Sequence, residues 1–421
     1  MNEIKLNNSK VLYNKKIYEK YDIVFEVYRG IKYCILLQNF IILCTTYLPK
    51  NIFTNKKSSH RTLTNLYSTW FFSLYSTYDF NNDTFFPSNY TNNTILKDIL
   101  LDYCSLDNSI INKEEIINII LTKNTINYKI SLDIINKYKT NNFFNNNINN
   151  YTISKYKTFE KRNDEEITFY KFNLKFTFNF NINNYRLQNI LTNIIIPEVT
   201  YNKMKNNYNG FPDEIDIYIF IILFRYQLLG SNNHQLSILP KVMRQIKSDF
   251  NTEIECFASS INSETKYFCS IYYDVEKYFG SIGSFFQNTF ISGVYTFNPP
   301  YQKDIIEQSI NKILNLMKSN KKLAFFITIP IWDNEGKQIM KELNMENNND
   351  NIKYSDFTII DKMKTSKYFY GLRMISKNDF TYLDHNFYLF KNKTIQNTYI
   401  IILANYKNKY IDKINKYNFY D

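Results

Sequence analysis

Apolar side chains along this chain follow several rhythms, and each predicts a different element. Tyr33 to Leu48 is apolar almost throughout, broken by Gln38 and Asn39. It is short for a membrane span and reads as a buried helix. Lys97–Tyr103 and Glu114–Leu121 carry helical patterns. Thr168 to Phe180 alternates instead. Phe172, Leu174, Phe176, Phe178 and Phe180 fall on one face, with Lys171, Asn173, Lys175, Thr177 and Asn179 opposite, as in a half-buried strand. Asp213–Phe224, continuing toward Leu229, is an apolar helix, and Pro240 suits the first position of a helix over Lys241–Asp249.

Further along, strands and helices take turns. Ile254–Ala258 and Val294–Phe297 are short buried strands, the second stopping at two prolines. Lys303–Ser319 carries a helical stripe of Ile305, Ile306, Ile310, Ile313, Leu314 and Met317. Leu323–Ile329 and Tyr399–Leu403 are continuous apolar strands. This order predicts an α/β sheet with buried parallel strands. The polar tracts Thr140–Tyr151 and Glu346–Asn351 read as linker and loop. Three regions follow: an α-rich or mixed extension over 1–140, a helical and linker region over 141–250, and an α/β core over 251–421.

Composition adds limits. With 421 residues and 44% hydrophobic content the chain can build a core and exceeds one ordinary domain. Its formal charge of +12 suits a polyanion such as RNA, and a solvated lysine surface explains the charge equally well. Asn, Ile and Lys, with 37 Tyr and 35 Phe, all have AT-rich codons, so part of that charge reflects codon bias. Cys34, Cys44, Cys104, Cys256 and Cys269 form no CxxC pair and there are three His, so no metal is expected and the setting is reduced and intracellular. Met1–Lys16 is too polar for a signal peptide, and Ile215–Phe224 is too short for a span. No membrane partner is expected.

The sharpest chemistry is at Asn298-Pro299-Pro300-Tyr301, between a strand and an amphipathic helix. The prolines fix φ and hold Asn298 extended. An aromatic amino group is a weak nucleophile because its lone pair is delocalised. The Asn298 side-chain oxygen and the Pro299 carbonyl can accept its two N–H bonds and favour a tetrahedral nitrogen, while Tyr301 stacks on the ring. An ordinary strand-ending turn has the same composition. Small residues at Glu255-Cys256-Phe257-Ala258-Ser259-Ser260-Ile261-Asn262 let a ligand approach the backbone, or simply form a tight turn. Gly280, Gly283 and Gly293 concentrate around Phe279-Gly280-Ser281, with Asp274 upstream as a candidate ribose ligand or a solvated carboxylate. His234 has no partner at metal-ligand spacing.

The order of these motifs resembles the cap-specific adenosine N6-methyltransferases of the phosphorylated-CTD-interacting-factor type. It rests on Arg225-Tyr226 with His234-Gln235, Glu255 to Ser259, Phe279 to Ser281, Asn298 to Tyr301, and Ile329-Pro330-Ile331-Trp332. Tyr370-Gly371 and Asn397 to Asn405 look like the family's last strands, so the likeness spans about residues 200–405. It implies a Rossmann-like class I methyltransferase domain packed with a mainly helical N-terminal domain, the 141–250 region helping to bind RNA. It implies S-adenosylmethionine as cofactor, capped RNA as substrate, and transcription or capping machinery as partner. Asn298, Pro299, Pro300 and Tyr301 would be catalytic. Arg225, Gln235, Glu255, Ala258, Ser259, Asp274, Gly280, Ser281 and Asn298 would bind the cofactor.

The chain departs from the family at Tyr301, where Phe is common, at Ser260, where proline is usual, and at Ser231-Asn232-Asn233, where glycines are usual. With tryptophan only at 70 and 332, no WW domain is expected at the N-terminus. Two alternatives stand: an amino methyltransferase for internal RNA or DNA adenine, and a catalytically weak cap- or RNA-binding subunit. The AT-rich composition favours a cytoplasmic setting, as in a virus or another cytoplasmic genetic element.

Overall fold

A computed structural model describes residues 2–6, 9–13, 22–49, 56–77, 83–87, 90, 93–105, 112–140, 151–162, 165–176, 184–230, 235–300, 302–319, 322–330, 359–378, 381–385, 391–393 and 397–406. The chain opens with β1 (Asn2–Lys5) and β2 (Lys10–Tyr13). Helices α1 (Ile23–Tyr47), α2 (Lys56–Ser73), α3 (Thr94–Ser105) and α4 (Lys113–Thr140) follow, then β3 (Tyr151–Arg162), β4 (Glu165–Phe176), α5 (Tyr185–Thr192), β5 (Ile195–Pro197), α6 (Glu198–Asn207) and α7 (Ile215–Leu229). Next come β6 (Leu236–Ile238), α8 (Pro240–Phe250), β7 (Ile254–Glu255), β8 (Tyr267–Phe268), α9 (Tyr273–Glu276), β9 (Thr289–Phe297) and α10 (Lys303–Ser319). The chain continues through β10 (Leu323–Pro330), α11 (Ile359–Lys364), β11 (Phe369–Ile375), β12 (Tyr382–Asp384), β13 (Lys391–Lys393) and β14 (Thr398–Ala404). These elements divide into two compact units: residues 1–16, 233–273 and 279–421 form one, and 17–232 with 274–278 form the other.

In the helical unit, Asp22 caps α1 by accepting from Val24 N at 2.9 Å. α1 is long and apolar enough to cross a membrane, yet it buries Glu26 and Arg29 along with Val27, Tyr33 and Phe40. Those charges are ion-paired inside the unit, which marks α1 as a core helix. An aromatic cluster fills the space around it: Tyr33 meets Phe71 at 4.9 Å and Phe85 at 5.8 Å, and Tyr67 meets Trp70 at 5.2 Å. α7 is buried all round, as its unbroken apolar sequence predicts, and ends at Gly230 with φ of 65°. β3, β4 and β5 form an antiparallel sheet. On β4 the expected inward Phe172 is buried, but so is Phe169 on the opposite face, paired with Pro197 of β5.

The other unit is built on a mixed sheet. β8, β7, β9 and β10 run parallel in that order. β14 then runs antiparallel to β10, and β11 antiparallel to β14. β10 shows why its sequence is continuously apolar. Phe325, Ile327 and Ile329 join one core with Ile306, Ile310, Ile313 and Met317 of α10. Ala324 and Phe326 join the other core with Val242, Met243, Ile246 and Phe250 of α8. Both faces are covered, so no alternation survives.

Several expectations shift. β14 is antiparallel, so the sheet is not wholly parallel. β7 is only two residues long, because the chain turns away after Glu255. β1 and β2, not anticipated as strands, pair with each other, and β2 pairs with β9, burying Val11 in the core. The sheet unit therefore includes residues 1–16 and begins its main span at 233 rather than 251. The tracts at 141–150 and 346–351 lie outside the described residues.

Candidate active site

The chain leaves β7 toward β8 on one side and leaves β9 toward β10 on the other. Such a reversal marks where open α/β sheets bind ligands, beyond the carboxyl ends of the strands. Asn298 follows β9 directly at that point, half-buried, with Pro299 buried behind it. Gln302 N donates to Pro300 O at 2.7 Å as the chain enters α10. Asn298 Nδ2 lies 3.4 Å from Leu236 O. A carbonyl oxygen only accepts, so this contact sets which end of the amide is the donor. Thr296, two residues earlier on the same face of β9, has its Oγ1 buried and without a hydrogen-bond partner. Tyr301 lies outside the described residues.

At the end of β7, Ser259 is buried and heavily bonded. Its N–H donates to Asn262 Oδ1 at 2.7 Å, and its hydroxyl donates to Gln235 Oε1 at 2.8 Å. Gln235 immediately precedes β6, whose Leu236 meets Asn298, so β6 touches the ends of both β7 and β9. Ala258 is half-buried and its N–H donates to Cys269 O at 3.0 Å. Glu255 is turned to the 263–265 bend: Oε1 accepts from Ser263 Oγ, Glu264 N, Thr265 N and Thr265 Oγ1 at 2.7–3.1 Å. Burial pushes its carboxyl up, against the pull of the two backbone N–H bonds. This carboxylate holds the loop that carries Ser259.

Residues 280–283 run beside β8. Ile282 N donates to Phe268 O at 2.8 Å, and the hydroxyls of Ser270 and Ser281 are 2.7 Å apart. Gly280 has φ of 105°, and a Cβ there would stand 2.0 Å from Lys266 O, so only glycine fits. Lys312 of α10 reaches the following turn, where Nζ donates to Phe285 O, Phe286 O and Asn288 O, each at 2.7 Å. Cys256 and Cys269 are buried, their thiols pushed up by burial, Cys269 to about 12, so neither is a nucleophile.

Arg225 and Asp274 belong to the helical unit and sit in a closed ionic network. Arg225 is wholly buried; it donates to Glu26 Oε1 at 2.6 Å and Oε2 at 3.0 Å, and to Asp274 at 2.9 Å. Arg29 bridges Glu26 at 2.5 Å and Asp83 at 2.6 Å. Burial alone would raise the Glu26 carboxyl, but Arg225 and then Arg29 more than offset it and hold it below its ordinary value. Both candidate residues are thus engaged within their own unit.

The donor set in the sheet unit fits a polar ligand that approaches the backbone closely. It offers the Ser259, Ser270 and Ser281 regions and the orphaned Thr296 hydroxyl. Of the residues that the sequence suggests for a site, the structure places Gln235, Ser259, Ser281 and Asn298 in the sheet unit. The sequence did not single out Ser237, His385 and Lys312, whose partners are distant in sequence and leave no local pattern. Among the described residues no cluster of three or more His, Cys, Asp or Glu side chains is arranged to hold a metal.

Fold and site define an α/β unit with a proline-braced corner at the reversal between β7 and β9. A family profile described as phosphorylated CTD interacting factor 1 WW domain matches residues 198–353. That stretch, which contains Asn298 to Tyr301, is similar to the phosphorylated-CTD-interacting-factor type family that the motif order resembles. A curated relative from Mus musculus, named mRNA (2'-O-methyladenosine-N(6)-)-methyltransferase, is 29% identical over 121 residues. The alignment covers 27% of this chain and 17% of that protein.

Proposed function

We propose that the chain is an S-adenosylmethionine-dependent methyltransferase acting on N6 of adenosine in RNA, at the adenosine beside a 7-methylguanosine cap. The observation that carries this reading is the position of Asn298-Pro299-Pro300 at the reversal between β7 and β9, with the Asn298 amide turned so that Nδ2 meets Leu236 O. The strand order supports a Rossmann-like class I core, and the named activity of the mouse relative supports adenosine N6 as the target.

S-adenosylmethionine, when bound, supplies an electrophilic methyl group on a sulfonium. Asn298 Oδ1 and the Pro299 carbonyl accept the two N–H bonds of the adenine amino group and favour a pyramidal nitrogen, its lone pair aimed along the bond that forms. Tyr301 stacks on the base. Ser259 and Ser281 line the cofactor side, and Glu255 keeps the loop that carries Ser259 in place. No strong base is required: the methylated nitrogen is acidic once its positive charge develops, and its proton passes to solvent. Positioning and oriented dipoles lower the barrier.

The test is transfer of a labelled methyl group to RNAs that begin with adenosine, capped or uncapped. Wild-type protein methylates the capped RNA at N6, and Asn298→Ala reduces the rate by about 10² or more while keeping its fold. Equal rates on both RNAs remove the cap from the proposal, and an unimpaired Asn298→Ala removes the mechanism.

A further inference from the structure

β6 is only three residues long, yet it links the ends of two strands of the main sheet. Gln235 Oε1 accepts from Ser259 Oγ at 2.8 Å, and Leu236 O accepts from Asn298 Nδ2 at 3.4 Å. β6 lies outside the main sheet and pairs antiparallel with β12, Leu236 opposite Asp384 and Ser237 opposite Leu383. So short a ladder holds its register weakly by itself. His385, the next residue, adds two bonds: its N–H donates to Gln235 O at 3.1 Å, and its Nε2 lies 2.8 Å from Ser237 Oγ. Gln235 stands just before β6 and Ser237 lies within it, so His385 bonds the strand on both sides of Leu236. His385 thus holds the backbone of the residue whose side chain bonds Ser259. His385, Ser237, Gln235 and Ser259 are all buried, so water does not replace a lost partner cheaply.

We propose that His385 is a positioning residue for the candidate site, setting the register of β6 and through it the places of Asn298 and Ser259. The inference rests on the methyltransferase reading for its kinetic consequence, while its structural consequence stands apart from it. His385 touches no reacting atom. It acts through Ser237 and Gln235 on the residue that orients the amino group and on the loop that lines the cofactor side.

The variants are His385→Phe, His385→Gln and His385→Asn in the full chain. Glutamine places an amide nitrogen near the position of Nε2, whereas asparagine reaches only as far as Nδ1. His385→Phe should lower kcat at least tenfold and raise KM for S-adenosylmethionine, with His385→Gln restoring most of both and His385→Asn little. Ser237→Ala added to His385→Phe should cost nothing further, since both remove one bond. Hydrogen exchange read by mass spectrometry gives the measure that needs no activity: amides of 235–238, 256–263 and 297–298 exchange faster in His385→Phe and recover in His385→Gln, while those of β10 and β14 are unchanged. Unchanged exchange in those three segments overturns the proposal, as does a uniform rise across the whole sheet. If wild-type protein transfers no methyl group, the functional reading falls and the exchange pattern still decides the role of His385. Wild-type-like kinetics in His385→Phe overturn the role while leaving the functional reading intact.

Discussion

Arg225→Met removes a guanidinium that is wholly buried and bonded to two carboxylates. The methionine fills much of the volume, so the change is mainly electrostatic. Glu26 keeps Arg29 as a partner but loses its two bonds to Arg225, and Asp274 loses its contact at 2.9 Å. Breaking a buried pair from one side costs about 3–5 kcal/mol, because the remaining charge stays desolvated. In a unit of this size that lowers Tm by roughly 10 °C. Urea and thermal unfolding followed by circular dichroism at neutral pH measure both quantities. The deficit should also depend on pH. The folded-state Glu26 carboxyl lies below its ordinary value, so its contribution is complete above the unfolded value and is lost as pH falls through the folded one. Without Arg225, burial dominates and the carboxyl rises. The gap between variant and wild type is therefore widest near neutrality and narrows in acid. A deficit under about 1 kcal/mol, or one that widens in acid, would refute the assignment of Arg225 to the fold of its unit.

Other predictions follow from single contacts. Lys312→Met leaves three carbonyls at 285, 286 and 288 without their shared donor and should cost about 2–3 kcal/mol in denaturant unfolding. Gly280→Ala places a Cβ 2.0 Å from Lys266 O at φ of 105°, so it should weaken S-adenosylmethionine binding at least tenfold in calorimetry, with strain of about 1–3 kcal/mol. All five cysteines are buried free thiols pushed up by burial, so a thiol reagent at pH 8 should label none in native protein and all five after unfolding.

Much of the sheet unit was legible because its signals are local. The stripe of Lys303–Ser319 gave α10 with the expected bounds, and the unbroken run at 323–329 gave a strand buried on both faces. Pro240 opens α8 as its fixed φ predicts. The N-terminal hairpin was not legible, because Lys10–Tyr13 is four residues of mixed polarity and becomes a strand only by pairing with β9. β7 was overestimated because Cys256 to Ala258 have strand composition, while the hydrogen bonds around Glu255 and Ser259 pull that segment into a bend. At the candidate site, residue types singled out Asn298, Ser259 and Gln235, which the structure links through β6. They did not show that Glu255 and Arg225 carry structural duties, since Thr265 and Glu26 lie 10 and 199 residues from them. A charged residue in a motif looks the same whether it faces a ligand or a partner inside the chain.

The central claim is tested most directly by digesting an adenosine-initiated capped RNA after incubation with protein and S-adenosylmethionine, and resolving its nucleosides by mass spectrometry. N6-methylated adenosine from the first transcribed position, absent when Asn298 is alanine, is the predicted result. Methyl transfer to another atom, or none at all from protein that is folded, would contradict it.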